Sequence, residues 1–228
     1  MLRVSEIYLS VQGEGPHVGT PTVFVRFAGC NLRCPGWPCD TPHAIDPSKY
    51  RQEWKFLSPE EVAITIRDIA AGARVRVCFT GGEPLLQPSA DLKELAELLC
   101  TNHAIDCFSN GTIEYPSWMQ NEGIVFVMDW KLPGSGEIST APVRFENMRG
   151  FCSDDTIKFT IANREDFEHA VAIWKEVASQ TDAQFYAGVV WGKLDNATLV
   201  EWMLKAKLPW KLNVQVHNHI WPREQRGI

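Results

Sequence analysis

Short runs of β-branched and apolar residues alternate along this chain with longer amphipathic stretches. The short runs predict strands at Thr22–Phe27, Val75–Thr80, Ile105–Ser109, Val125–Asp129, Thr156–Ile161, Phe185–Val190 and Leu212–Val216. The longer stretches space their apolar residues for helices at Pro59–Ala71, Asp91–Thr101, Glu165–Ser179 and Asn196–Lys205. Ser58-Pro59-Glu60-Glu61 has the form of a helix start, with Ser58 as cap and Pro59 at the first helical position. Such alternation predicts an α/β fold on a largely parallel sheet. Strand candidates outnumber helix candidates, so some crossovers are expected to be loops. The stretch Leu132–Asp155 is long for a connection and is expected to be functional or mobile. No repeat or linker interrupts the pattern, which predicts one domain over residues 1–228.

Composition narrows the function classes. A 228-residue chain with 45% hydrophobic and 22% charged residues suits a soluble globular protein with a sizeable core. Its formal net charge of −6 and lack of a Lys/Arg-rich run argue against a nucleic-acid partner and for a small molecule. No apolar stretch reaches membrane-spanning length, and Met-Leu-Arg-Val-Ser-Glu at the start lacks a signal-peptide core, so a cytoplasmic location is expected. Seven cysteines are an odd number, which in a reducing compartment points away from a disulfide framework. Cys78, Cys100 and Cys107 sit among apolar neighbours and are expected to pack in the core.

Cys30, Cys34 and Cys39 stand apart from these, in Ala-Gly-Cys-Asn-Leu-Arg-Cys-Pro-Gly-Trp-Pro-Cys-Asp-Thr. Three thiolates on one loop can hold a metal centre and leave a coordination position open. A structural zinc site normally needs four ligands in paired units; His17 or His43 is a candidate fourth, but the spacing favours an iron–sulfur cluster. A second motif, Thr80-Gly81-Gly82-Glu83-Pro84, follows the apolar run Val75–Phe79. Its glycines permit close backbone approach to a ligand, and Glu83 can accept hydrogen bonds from an ammonium.

Together these motifs resemble the radical S-adenosylmethionine (SAM) superfamily. Further blocks resemble the 7-carboxy-7-deazaguanine synthase family: Tyr8-Leu-Ser-Val-Gln-Gly-Glu-Gly15, Thr22 through Cys30, Cys39-Asp40-Thr41, Phe79 through Gln87, Ser109-Asn-Gly-Thr112, Asp129-Trp-Lys-Leu-Pro133 and Val214-Gln-Val-His217. The resemblance implies a single-domain partial (β/α) barrel of the radical SAM type, with fewer helices than strands. It implies a carbon–nitrogen lyase that turns 6-carboxy-5,6,7,8-tetrahydropterin into 7-carboxy-7-deazaguanine and ammonia. Cys30, Cys34 and Cys39 would bind a [4Fe–4S] cluster whose unique iron chelates SAM. Pro38, Cys39, Asp40, Gly81, Gly82, Glu83, Ser109, Asp129, Trp130 and Lys131 would bind SAM, and Thr41 a magnesium ion. Val11, Gln12, Gly13, Glu14, Arg26, Thr80, Gln215 and His217 would bind the pterin. Arg26 offers a planar fork for its carboxylate, and Gln12 and Glu14 can read its ring edge. His219 and Trp221 are expected to pack. An electron-donor protein and a homodimer are further implications.

Three departures stand out, one of them Asp129-Trp130-Lys131 where the family has a Ser-Pro-Lys block. Four residues, Pro35-Gly36-Trp37-Pro38, separate the second and third cysteines where the superfamily's commonest pattern has two. The tail Pro222–Ile228 extends beyond the matched histidine, so no contact by a terminal carboxylate carries over. Two other readings remain open on the sequence: a glycyl-radical-enzyme activase, and a non-enzymatic zinc-binding interaction module.

Overall fold

The computed structural model describes residues 1–37, 39–137, 141–222 and 225–227. Its strands are β1 (Leu2–Val11), β2 (Pro21–Phe27), β3 (Lys55–Leu57), β4 (Arg76–Gly81), β5 (Ile105–Ser109), β6 (Val125–Trp130), β7 (Thr156–Ile161), β8 (Gln184–Val189) and β9 (Lys211–Leu212). They form one sheet in the order β3-β1-β2-β4-β5-β6-β7-β8-β9. The β3–β1–β2 edge is antiparallel, and every pairing from β2 to β9 is parallel. The helices are α1 (Pro42–Ile45), α2 (Pro47–Tyr50), α3 (Pro59–Ala70), α4 (Ser89–Leu99), α5 (Ser117–Asn121), α6 (Ala141–Met148), α7 (Arg164–Val177), α8 (Asn196–Lys205) and α9 (His217–Ile220). Among the described residues only α3, α4, α7 and α8 reach ten residues. This is the partial (β/α) barrel expected. No described helix is long and apolar enough to cross a membrane.

Side chains along each parallel strand alternate between two environments. Val23, Val25 and Phe27 of β2, Val77 and Phe79 of β4, and Phe126 and Met128 of β6 share a buried apolar core with Val62 and Ile66 of α3 and Leu92 and Leu95 of α4. The intervening residues Phe24, Arg26, Cys78, Thr80, Phe108, Val127, Asp129 and Lys158 turn the other way, into a cavity. Apolar burial against the helices thus fixes which face of the sheet is left for polar side chains.

Helix α3 begins as expected. Ser58 Oγ accepts from Glu61 N at 3.2 Å, and a Glu61 carboxylate oxygen accepts from Ser58 N at 2.7 Å, a complete capping box. Ser58→Ala is expected to lower stability by about 1 kcal/mol. A urea titration would show this as a lower midpoint at unchanged slope.

The structure corrects several expectations. Strand β1 was absent from them because its cavity-facing residues are polar, which breaks the apolar alternation. Of the expected Leu212–Val216 strand only Leu212 pairs, in the two-residue strand Lys211–Leu212, since the chain turns away through Asn213 to reach the cavity floor. Leu132–Asp155, expected to be functional or mobile, carries a 3₁₀ turn at Pro133–Ser135 and helix α6, with Arg144, Asn147 and Met148 buried. Crossovers expected as loops contain the short helices α5 and α6. Cys78 and Cys107 are in the core, but Cys100 at the end of α4 is exposed.

Candidate active site

Beyond β2 the chain enters the cysteine loop, and the Gly-Gly-Glu turn at the end of β4 is packed directly onto it. Gly81 has φ +135°, and a Cβ there would lie 2.1 Å from the Phe27 carbonyl oxygen. A Cβ on Gly82 would lie 2.2 Å from the Gly29 oxygen. Gly82 N donates to Phe27 O at 3.1 Å and Glu83 N to Gly29 O at 2.8 Å. The glycines therefore serve backbone-to-backbone contact with the cysteine loop as well as any ligand.

Glu83 itself faces the interior of the wall, where it is fully buried. One carboxylate oxygen accepts from Leu85 N and Ser109 Oγ, both at 3.0 Å, and the other from Asn110 N at 2.8 Å. Burial raises its pKa, with the hydrogen bonds from Asn110, Leu85 and Ser109 opposing the rise. Expected to accept from the SAM ammonium, Glu83 instead ties the ends of β4 and β5 together behind the glycines. The local sequence does not show this, because two of its three partners, Ser109 and Asn110, lie 26 and 27 residues away.

A cavity of about 710 Å³ opens along the polar face of the sheet, with Cys30, Cys34, Cys39, Asp40 and Thr41 at one end. Strand pairing sets a row of charges across it. Glu6 lies opposite Arg26, Arg26 pairs in register with Thr80, and Asp129 pairs with Lys158. Arg26 donates through Nε to Glu6 at 2.6 Å and through Nη2 to the Tyr8 hydroxyl at 2.7 Å. Among the described residues, two of its five N–H donors are thus engaged. His43 Nε2 lies 3.1 Å from Glu6. Burial acts to raise the Glu6 pKa, but His43 and Arg26 outweigh it and hold the group ionised.

The turn after β1 forms the cavity floor. Lys158 Nζ contacts Glu14 at 2.6 Å and Asp129 at 3.6 Å, while Lys131 Nζ contacts Asp129 at 2.8 Å. Gln215 Nε2 and Asn213 Nδ2 donate to Glu14 at 2.8 and 3.2 Å. Burial works to raise the Glu14 pKa; Lys158 and Gln215 overcome it and bring the group down to about 2. Burial likewise opposes Lys131 and Lys158 at Asp129, and the lysines prevail, leaving it at about 2. A Cβ on Gly13 would lie 2.1 Å from His217 Nδ1, so the floor turn and the cavity-lining His217 meet only because residue 13 is glycine. Gln12 is buried in the same wall, and its Nε2 has no hydrogen-bond partner among the described residues.

The donor set at the cysteine end fits a cluster. Cys30 and Cys34 are half-buried and Cys39 is exposed. Burial pushes the free thiol of Cys30 up and that of Cys34 up to about 11, so metal binding has to displace their protons. Among the described residues, no three His, Cys, Asp or Glu side chains converge as ligands of a single ion would. His17, the first candidate for a fourth zinc ligand, bonds Asp106 at the opposite end of the strands, and His43 is held by Glu6. Thr41 Oγ1 lies 3.7 Å from Cys39 Sγ, on the cavity wall.

Most of the expected positions meet in this one place: Val11, Gln12, Gly13, Glu14, Arg26, Thr80, His217, Cys39, Asp40, Gly81, Gly82, Ser109, Asp129 and Lys131 all line the cavity. Pro38 lies outside the described residues. Trp130 does not join them: it is buried on the helix side, edge-on to Phe145 and beneath Arg144, because it alternates with Asp129 and Lys131. Gln215, three residues beyond β9, does not line the cavity and reaches the site through Glu14. Trp221, expected to pack, lines the cavity, whereas His219 packs on Trp191. Beyond them Gln225, Arg226 and Gly227 run along the cavity, and Arg226 bonds Glu53 at 2.9 Å. Sequence reasoning missed Glu6, Lys158 and Asn213. The signal for Lys158 was a lysine in the middle of the apolar strand Thr-Ile-Lys-Phe-Thr-Ile.

Comparison with known proteins agrees with this arrangement. The radical SAM superfamily model matches residues 24–122. A 7-carboxy-7-deazaguanine synthase from Koribacter versatilis (strain Ellin345) is 30% identical over 240 residues, covering all of both chains. One from Leptospira interrogans is 32% identical over 244 residues, covering 99% of this chain and 97% of its own. The crystal structure of QueE from Escherichia coli superposes with a TM-score of 0.71 at 21% identity, over 94% of this chain and 93% of that one. That likeness shows the same fold. With similarity at this level running end to end, the chain belongs to the 7-carboxy-7-deazaguanine synthase family of radical SAM enzymes.

Proposed function

We infer that this chain converts 6-carboxy-5,6,7,8-tetrahydropterin into 7-carboxy-7-deazaguanine with loss of ammonia, a step of 7-deazapurine (queuosine-type) biosynthesis. The observation that carries this is the opening of three cysteines onto a polar cavity floored by paired charges, in a chain whose full-length relatives bear that enzyme's name. The whole chain acts as one radical SAM core with a short C-terminal tail.

Cys30, Cys34 and Cys39 would hold the [4Fe–4S] cluster, and the cavity wall at Gly82, Ser109, Asp129 and Lys131 would hold SAM. When bound, these groups supply one-electron chemistry that removes a hydrogen atom from the substrate. The protein's part is orientation and exclusion of water. Arg26 presents its remaining N–H groups to the substrate carboxylate, with Glu6 and Tyr8 fixing the plane of the fork. Glu14, kept ionised by Lys158, accepts from ring N–H groups, and Gln12 donates through its free amide. Thr41 would supply a hydroxyl to a magnesium ion that keeps most of its waters. We assign the chain to the cytoplasm as a homodimer served by a separate electron-donor protein. No observation favours the activase or zinc-module readings.

Anaerobic incubation with SAM, a reductant, magnesium and the carboxypterin should yield the deazaguanine product. Absence of product from protein holding iron and sulfide would refute the substrate assignment; zinc without sulfide would refute the cofactor. Arg26→Ala is expected to lower kcat/KM by about a hundredfold or more with cluster content unchanged, the scale of losing one partner of a buried charge pair.

A further inference from the structure

Pro35 and Gly36, which open the spacing between Cys34 and Cys39, have a docking place in this chain. Gly36 N donates to Ser135 O at 3.1 Å, and a Cβ on Gly36 would lie 2.0 Å from the Gly134 oxygen. On the other side, a Cβ on Gly136 would lie 2.7 Å from Pro35 Cγ. The 3₁₀ turn Pro133–Ser135 is held from behind: Gly134 N donates to the fully buried Asp166 of α7 at 2.7 Å, and the other Asp166 oxygen accepts from Ala162 N at 3.0 Å. Ser135 is buried as well, and its Oγ accepts from Glu137 N at 3.1 Å.

Glu137 completes this clasp. One of its carboxylate oxygens accepts from both Arg33 N, at 2.7 Å, and Cys34 N, at 3.0 Å. Cys34 has φ +43°, a left-handed conformation that a non-glycine residue adopts at a cost. Successive N–H groups around such a residue form a concavity for an anion, and here the anion is the Glu137 carboxylate. Nothing in the spacing of the cysteines or in the family resemblance assigns a role to Glu137.

We propose that Glu137 is a positioning residue for the iron–sulfur cluster, holding Cys34 in its ligating turn and placing a negative charge beside the loop. This rests on the reading of Cys30, Cys34 and Cys39 as cluster ligands. The acceptor keeps the turn in shape, and the charge disfavours adding an electron to the centre nearby. These two roles separate by mutation. Glu137→Ala removes acceptor and charge together; Glu137→Gln keeps an acceptor oxygen and removes only the charge.

The test uses the anaerobically reconstituted protein without substrate. It reads iron and sulfide per chain, the rate of iron release to a chelator, and the cluster potential from an EPR redox titration. Glu137→Ala is expected to release iron at least about tenfold faster than wild type, the usual scale for losing a partner that orients a metal ligand. Glu137→Gln should restore the slow release yet titrate at a more positive potential. Thermal melting of the apo forms controls for folding. Wild-type release rates in Glu137→Ala would overturn the proposal, as would an unshifted potential in Glu137→Gln. Failure of the wild-type protein itself to take up iron and sulfide would instead overturn the cluster reading on which the proposal rests.

Discussion

Lys158→Ala is expected to abolish turnover and to lower folding stability by about 3–5 kcal/mol, the cost of removing one partner from a buried ion pair. Lys158 lies between Glu14 and Asp129, at 2.6 and 3.6 Å, with its side chain only 9% exposed. Without it Glu14 keeps the hydrogen bonds from Gln215 and Asn213 but loses its counter-charge. Asp129 still has Lys131 at 2.8 Å, so the damage concentrates on the floor turn. A Lys158→Met/Glu14→Gln double variant removes both charges and should regain most of the stability while remaining inactive. If the single variant is as stable as wild type, the pair is solvated and the floor is not built as described.

The pH dependence has a definite sign. In the wild type Glu14 is depressed to about 2, so its stabilising contribution is present above the ordinary glutamate value near 4.3 and is lost as pH falls toward 2. In Lys158→Ala, burial acts with less opposition and raises the Glu14 pKa. The variant is then relieved as Glu14 takes up a proton. The stability gap between the two proteins should therefore narrow as pH is lowered from 7 to about 4. Denaturant titrations across that range would show a constant gap if Glu14 were not the group involved.

Gly82→Ala is the second change with a large expected effect, on the cluster more than on the fold. The added carbon would lie 2.2 Å from Gly29 O, 2.6 Å from Gly29 C and 3.0 Å from Cys30 Cβ. Two of these are backbone atoms that cannot rotate aside, so the start of the cysteine loop has to move. Overpacking of this kind costs about 1–3 kcal/mol, within what a folded domain tolerates. A displaced Cys30 is a more serious fault, and cluster retention is expected to fall about tenfold or more. Gly19→Ala provides the control: its φ of +86° is strained for alanine, but nothing lies within 4 Å. It should lose about 1 kcal/mol and keep its cluster. Equal iron and sulfide contents in the two variants would show that Gly82 does not seat the cysteine loop.

Legibility differed from residue to residue for physical reasons. The parallel strands β4 to β7 were readable because both their neighbours and one whole face are apolar. Strand β1 was not, since Glu6 and Tyr8 point into the cavity and pair with Arg26. The cysteines, Arg26 and the Gly-Gly-Glu turn were visible as motifs. The role of Glu83 was not, because the donors Ser109 Oγ and Asn110 N reach its carboxylate only when β4 and β5 pair. Trp130 shares a motif with Asp129 and Lys131, yet strand alternation sends it to the opposite face.

By itself the sequence determined the fold class, the family, the cysteine motif and most of the cavity wall. These depend on local periodicity and on residue types at short spacing, which the chain displays in order. The tertiary structure alone decided which charges neutralise one another. It paired Glu14 with Lys158 across 144 residues, and brought Glu137 onto Cys34 across 103. It also seated Gly36, within the longer spacing before Cys39, against Gly134 and Ser135. Such contacts arise from strand order and crossover packing, and no local pattern of hydrophobic and polar residues encodes them.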